Sequence, residues 1–212
     1  MTCIIIPIGP PGSGKSSLNE ELKSLFETTV NINHIEYYSS SRDELYKEIK
    51  KEKSLKQTRK ILFETMMKFF DEMKDKSESK CKSENTNLII YMDSCNAKKE
   101  IRDKFIEYLD PKKIIFINFR IEDTEVLLER TKNRINHPTF PDSVDEQRKI
   151  IENITPVIEY EETLEKPILL NKTDTDTDTD TQTITSNIEI LDYSLQSEFN
   201  LIDEISKLIF KK

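Results

Sequence analysis

Apolar residues along this chain follow two rhythms. Unbroken apolar runs occur at Cys3–Ile8, Leu88–Met92 and Ile114–Phe119. Runs of that length without alternation suit strands buried on both faces of a parallel sheet. Val30–Tyr38 alternates in part and is predicted as a further strand, second in chain order. Between the runs the spacing turns helical. A helix is predicted from about Lys15 to Phe26, and helical pattern resumes at Ser41. Leu62, Met66, Phe69, Phe70 and Met73 stack on one face of a helix near 55–73. Residues 75–86 are charged and poor in apolar side chains, so they read as a loop. Ile101, Phe105, Tyr108 and Leu109 fall at i, i+4, i+7 and i+8, a helix stopped by Asp110-Pro111. Val126–Leu128 open a helix predicted to run through Arg134 and to break near Pro138, and residues 142–164 read as helical again. Pro167–Leu170 is predicted as a fifth strand, with Ile188–Leu191 a short strand or its resumption. Asn200–Phe210 closes the pattern as an amphipathic helix. Strands alternating with helices predict a doubly wound α/β sheet, parallel and covered on both faces.

The length of 212 residues suits one such domain with a small appendage. Its expected parts are a domain over 1–170, an acidic low-complexity insertion at 171–187, and a strand and helix at 188–212 that complete the domain. The Thr-Asp alternation from Thr173 to Thr181 has no apolar surface to bury and is expected to be disordered. The net charge is −8, and residues 171–204 account for all of it with nine acids against Lys172. The remainder is neutral, and within it residues 42–60 hold eight bases against four acids. A positive strip is therefore available to an anionic partner, although a solvated helix face has the same composition. No run approaches the length of a membrane span, and the first residues have no secretory pattern. Cys3, Cys81 and Cys95 are far apart and lack Cys-x-x-Cys spacing, so the expectation is a reducing, cytoplasmic compartment without a disulfide framework or structural zinc.

Glycine changes the picture. The chain has three, Gly9, Gly12 and Gly14, all inside Gly9-Pro10-Pro11-Gly12-Ser13-Gly14-Lys15-Ser16. This matches G-x-x-x-x-G-K-[ST], with a predicted strand before it and a helix after it. The backbone there must curl until successive N–H groups face one anion, and the helix start adds unpaired donors and a positive dipole end. Residues Gly9, Pro10, Pro11, Gly12, Ser13, Gly14, Lys15, Ser16 and Ser17 are the expected ATP-binding loop. Lys15 reaches the β- and γ-phosphates and Ser16 ligates Mg²⁺. The fold class becomes a three-layer P-loop NTPase-type sheet, with an α-helical lid over about 122–164.

Nucleotide binding leaves several chemistries open. Asn171-Lys172-Thr173-Asp174 has the form of a guanine-reading motif, yet no glycine beyond Gly14 exists for a γ-phosphate switch. A water-activating ATPase places glutamate after the strand-end aspartate, and here Ser94 follows Asp93. A small kinase fits better. Arg130 and Arg134, four apart, can face one phosphoryl group from a lid. Asp93 ends a buried strand, where open α/β sheets hold ligands, and can position an acceptor or a metal-bound water. It can also serve as a helix N-cap.

On these residues the chain resembles the 5′-hydroxyl polynucleotide kinases, such as the phage enzyme and the kinase domains of tRNA ligases. The resemblance spans about residues 1–140. It rests on Ile8–Ser16, Val30–Asn33, Leu88–Asn96 with its Asp-Ser-Cys-Asn ending, Arg130–Arg134, and Asn136–Thr139. It implies transfer of the ATP γ-phosphate, with Mg²⁺, to the 5′-OH end of RNA or DNA in repair or tRNA splicing. It also admits an RNA ligase partner and involves no membrane. The family places an aspartate after the second strand as general base, with an arginine three residues on. Neither is in register in Asn33-His34-Ile35-Glu36-Tyr37-Tyr38. Glu36 is the nearest carboxylate, and Asp43 takes its place if the strand ends later. Two alternatives stand beside this reading: a kinase for a small metabolite or nucleoside, and a nucleotide-binding regulatory module that has lost transfer.

Overall fold

Strand β1 (Thr2–Ile8) is buried along its whole length because its alternate side chains feed two separate cores. Cys3 and Ile5 point to one face of the sheet, and Ile4, Ile6 and Ile8 to the other. The computed structural model describes residues 1–33, 35–50, 55–83, 86–121, 123–134, 137, 139–162, 187–193 and 201–210. Within them β1 is joined by β2 (Ile35–Ser41), β3 (Asn87–Asp93), β4 (Lys113–Phe119) and β5 (Asn187–Tyr193). The order is β2-β3-β1-β4-β5 and every pairing is parallel. Helices α1 (Lys15–Asn33) and α7 (Leu201–Phe210) cover one face through Leu22, Phe26 and Ile205. Helices α3 (Leu55–Ser83) and α4 (Lys99–Leu109) cover the other through Phe70, Met73, Phe105 and Ile106. Each fully buried aliphatic side chain in these layers contributes roughly 2 kcal/mol. The three-layer doubly wound architecture expected from the pattern is present. No helix of the described residues is long and apolar enough to cross a membrane.

Several boundaries differ from expectation. Residues 30–33 continue α1 instead of opening β2, which starts at Ile35. Their β-branched residues lower helix propensity only by tenths of a kcal/mol, and no glycine or proline stops the helix. Residues 75–83 belong to α3, not to a loop. A solvated helix needs no apolar face when pairs such as Glu72–Lys76, 2.7 Å apart at i,i+4, run along it. The helix predicted over 142–164 is shorter: α6 (Val144–Ile154) gives way to a 3₁₀ turn at Thr155–Val157, where Pro156 interrupts the N–H ladder. The stretch at 167–170 and the Thr-Asp tract lie outside the described residues, and the strand beside β4 is Asn187–Tyr193.

The segment expected to form the lid has its own small core of Ile121, Leu127, Leu128, Phe140 and Ile151, shared by α5 (Thr124–Thr131) and α6. Its return to the sheet is tied by a buried ion pair. Arg102 on α4 is fully buried and donates through Nε and Nη2 to Glu161 Oε1 at 3.0 and 2.7 Å. Arg102 Nη1 also donates to the Asn96 carbonyl at 2.7 Å. Asn118 Nδ2 donates to the Glu161 carbonyl at 2.7 Å, and the Glu161 N–H returns to Asn118 Oδ1 at 3.2 Å.

Candidate active site

The loop between β1 and α1 sits at the carboxyl edge of the central strand, beside the point where the strand order reverses between β1 and β3. Gly12 and Gly14 take φ of +84° and +106°, the left-handed region that side chains resist. Ser13 N–H donates to the Pro10 carbonyl at 3.3 Å, and helical bonding starts with Leu18 N–H to Gly14 at 3.0 Å. The preceding N–H groups of that first turn have no intrahelical acceptor and are available to an anion. Lys15 curls over the loop, its Nζ donating to the carbonyls of Gly9 (2.9 Å) and Pro10 (2.6 Å) and to Ser13 Oγ (3.1 Å). Burial lowers the proton affinity of this ammonium, opposed by the nearby Asp93 carboxylate. Pro11 lies partly exposed at the tip of the curve.

The loop also packs on the lid. A Cβ at Gly12 would stand 2.9 Å from both the Leu127 carbonyl oxygen and Thr131 Cγ2 on α5. Gly12→Ala is therefore expected to cost about 1–2 kcal/mol for the left-handed backbone alone, and to push α5 away and weaken ATP binding. Thermal melting and ATP titration check this, and an unchanged ATP affinity would refute it.

Asp93 closes the other side. Ser16 Oγ donates to Asp93 Oδ1 at 3.0 Å, and Asn19 bonds the same carboxylate. Asn19 Oδ1 in turn accepts from Tyr37 Oη at 2.7 Å, while Tyr91 Oη donates to the Lys15 carbonyl at 2.7 Å. Burial raises the Asp93 pKa above the usual carboxylate range, countered by the Ser16 bond and by Lys15. Hydroxyl and carboxylate oxygens at this separation are the hard donor set that Mg²⁺ takes, with phosphates and waters completing it. Among the described residues no cluster of three or more acidic, histidine or cysteine side chains is arranged as a metal site. A cation held by Ser16, Asp93 and nucleotide phosphates fits these residues. The strand-end loop after Asp93 is locked to the phosphate loop. Asn96, at φ +46°, donates to the carbonyls of Pro7 and Met92 at 2.8 Å each, and the Gly9 N–H reaches the Cys95 carbonyl at 3.2 Å.

Two clefts flank this centre. One, of about 480 Å³, is lined by Gly12, Ser13, Gly14 and Ser17, by Arg130 and Arg134, and by Leu18, Phe119, Tyr193, Leu201 and Ile202. Arg130, Arg134 and Glu21 bring its charges, and Leu18, Phe119, Leu201 and Ile202 its apolar wall. Arg130 Nη1 stands 3.4 Å from the Gly12 carbonyl. The helix carrying Arg130 ends at Thr131 and does not run through Arg134, whose N–H instead closes a turn onto the Thr131 carbonyl at 2.9 Å. Both arginines nonetheless line the one cleft. The other cleft, of about 830 Å³, lies between α3 and α4, with Met92 and Ser94 to Lys98 at its edge. Leu62, Met66, Met67, Phe70, Phe105 and Tyr108 wall it, and Arg42, Lys74, Lys98 and Lys104 bring positive charge. Of the basic 42–60 strip, Arg42 is the one base whose side chain is described.

The two candidate carboxylates separate sharply. Glu36 pairs with Leu88 early in β2, and its Oε2 accepts from Tyr38 Oη at 2.9 Å. Ser41, which pairs with Asp93, lies five residues on, so Glu36 is about 16 Å back from the site edge. Asp43, in the first turn of α2 (Arg42–Lys50), faces the site, and its charge acts on Lys15, Asp93 and His137. The structure thus brings together Lys15, Ser16, Asp93, Asp43, Arg130 and Arg134, and leaves Glu36 outside. Sequence reasoning missed Asn19, Tyr37, Arg102 and Glu161. Asn19 carries a faint signal, three residues after Ser16 on one helix face; the other three depend on distant partners.

No family model matches the chain, and no curated protein matches its sequence. Solved structures do share its fold. A Chloroflexus aurantiacus protein provisionally assigned as a kinase is 14% identical, with a TM-score of 0.55 over 98% of this chain and 96% of that one. Chaetomium thermophilum Kti12, in complex with ADP-AlF3, is 15% identical, with a TM-score of 0.50 over 97% and 98%. The fold is that of P-loop NTPases. At these identities the likeness is one of architecture alone.

Proposed function

We propose that this protein is an ATP- and Mg²⁺-dependent kinase that passes the γ-phosphate to the 5′-hydroxyl end of RNA or DNA. The observation that carries the reading is the position of Asp93, which touches Ser16 of the phosphate loop and whose chain neighbours Met92 and Ser94 line the larger cleft. A water-splitting ATPase has no use for a second cleft of that size. Its methionine and aromatic walls suit a nucleobase better than a polyol, and its cations suit flanking phosphates.

In this mechanism the loop N–H groups and Lys15 hold the β- and γ-phosphates, while Arg130 and Arg134 neutralise the equatorial oxygens as charge spreads. Ser16 and Asp93 would hold Mg²⁺, which when bound would offset phosphate charge. The acceptor oxygen attacks phosphorus, the bridging P–O bond breaks, and ADP leaves with the electron pair. The acceptor proton passes to a carboxylate.

Labelled γ-phosphate ATP offered to 5′-OH oligonucleotides, to nucleosides and to buffer tests this directly. Label on the oligonucleotide is the expected result. Label confined to nucleosides would assign a small acceptor, and absence of transfer despite ATP binding would leave a regulatory module. Asp93→Asn is expected to lower the oligonucleotide rate by about 10²-fold or more, because acceptor and loop lose their common reference. A decrease under threefold would remove Asp93 from the chemistry.

A further inference from the structure

We infer that the lid itself completes the acceptor site: His137 and Thr139 hold the Asp43 carboxylate in place, so that closing over the donor phosphates and presenting the acceptor base are one event. This rests on the kinase reading above. Asp43 is reached from the lid at both of its oxygens. Thr139 Oγ1 donates to Oδ1, and His137 Nε2 lies 3.5 Å from Oδ2. The tautomer of the imidazole follows from its other nitrogen. His137 Nδ1 accepts the N–H of Phe140 at 3.1 Å and faces that of Thr139 at 3.4 Å. A nitrogen that accepts carries no proton, so the ring proton of neutral His137 is on Nε2, toward Asp43. Burial and the charge of Arg134 lower the His137 pKa below its ordinary value, while Asp43 opposes them, which keeps the neutral form at neutral pH.

The histidine is anchored to the donor side as well. Phe140, whose N–H fixes the ring, is buried in the lid core with Leu127 and Leu128 of α5. That helix carries Arg130 into the nucleotide cleft. A lid position that seats the arginine therefore also seats His137 over α2. The two lid contacts use two of the roughly four lone-pair directions of a carboxylate, and the others remain for the acceptor hydroxyl. In the step so organised the acceptor O–H proton moves to Asp43 as its oxygen bonds phosphorus and ADP departs. His137 touches no reacting atom and is a positioning residue.

The test is a pair of amide substitutions. His137→Gln keeps a donor near the Nε2 position and loses the Nδ1 acceptor. His137→Asn keeps an acceptor near Nδ1 and cannot reach Asp43. With a 5′-OH oligonucleotide as acceptor, His137→Asn is expected to lose about tenfold or more in kcat, with the KM for ATP changed less than about threefold, while His137→Gln retains most of kcat. The opposite ranking, or equal losses, would show that the ring serves only to order the lid and would overturn the inference. Asp43→Asn should fall further than either, and a loss in Glu36→Gln without one in Asp43→Asn would overturn the inference too. A second measurement needs no active variant. In the NMR titration of the whole chain His137 should titrate below the ordinary histidine range of about 6.5, and lower still in Asp43→Asn. A midpoint indifferent to Asp43→Asn means the contact is absent in solution. If wild type transfers label and these variants do not discriminate, this inference alone falls; if wild type transfers none, the kinase reading falls and takes it along.

Discussion

Lys15→Ala is expected to remove phosphoryl transfer, by about 10³-fold or more, judged from what single preorganised charges contribute in water-excluded sites. The side chain is 7% exposed and holds three loop oxygens within 3.1 Å, so it both shapes the loop and supplies its charge. Two effects on stability oppose each other. The folded state depresses the proton affinity of Lys15, so at neutral pH its charge is a cost to folding that alanine removes. Alanine also leaves the carbonyls of Gly9 and Pro10 short of a donor, at about 1–3 kcal/mol. The melting temperature should therefore move little while transfer disappears. Calorimetric ATP titration and the label assay, run beside a melt, separate loss of chemistry from loss of fold. More than a tenth of the wild-type rate in Lys15→Ala would place the phosphate site elsewhere.

Arg102→Met should produce the largest loss of stability, about 3–5 kcal/mol, the usual result of removing one partner from a buried ion pair. Glu161 is 4% exposed, and its remaining cation, Lys99, is half-exposed and 3.4 Å away. The Asn96 carbonyl loses its donor too, and with it goes support for the loop that follows Asp93. The effect reaches function because Glu161 belongs to the segment by which the lid rejoins the sheet. Urea denaturation measures the loss, and a change below 1 kcal/mol would mean that the pair is not closed in solution. Replacing both partners, as Arg102→Met with Glu161→Leu, is expected to recover most of the deficit, since no uncompensated charge is left in the interior.

Some of this was visible in the linear pattern, and for identifiable reasons. The runs at 3–8, 88–92 and 114–119 became β1, β3 and β4 because a strand buried on both faces needs apolar residues at every position. Patterning failed where a helix is solvated. At the start of 75–83 Lys76 supports the helix through its i,i+4 pair with Glu72, and nothing in the local sequence separates such a helix from a loop. At 30–33 weak propensities suggested a strand, and the absence of a helix breaker prevailed.

The candidate site divides the same way. The amino-acid sequence by itself determined the phosphate loop, because strand, glycines, lysine and helix start all lie within a few residues and the geometry they need is local. It also picked out Arg130 and Arg134, which line one cleft, and Asp93, which bonds Ser16. Tertiary structure alone placed Asp43 beside the phosphate loop and Glu36 away from it, since strand register sets which residue reaches the carboxyl edge of the sheet. It alone paired Arg102 with Glu161, 59 residues apart, and Asp43 with Thr139, 96 apart. Contacts at such separations leave no periodic trace in a single chain: each partner satisfies its own local rules, and only the folded sheet brings the charges close enough to act on one another.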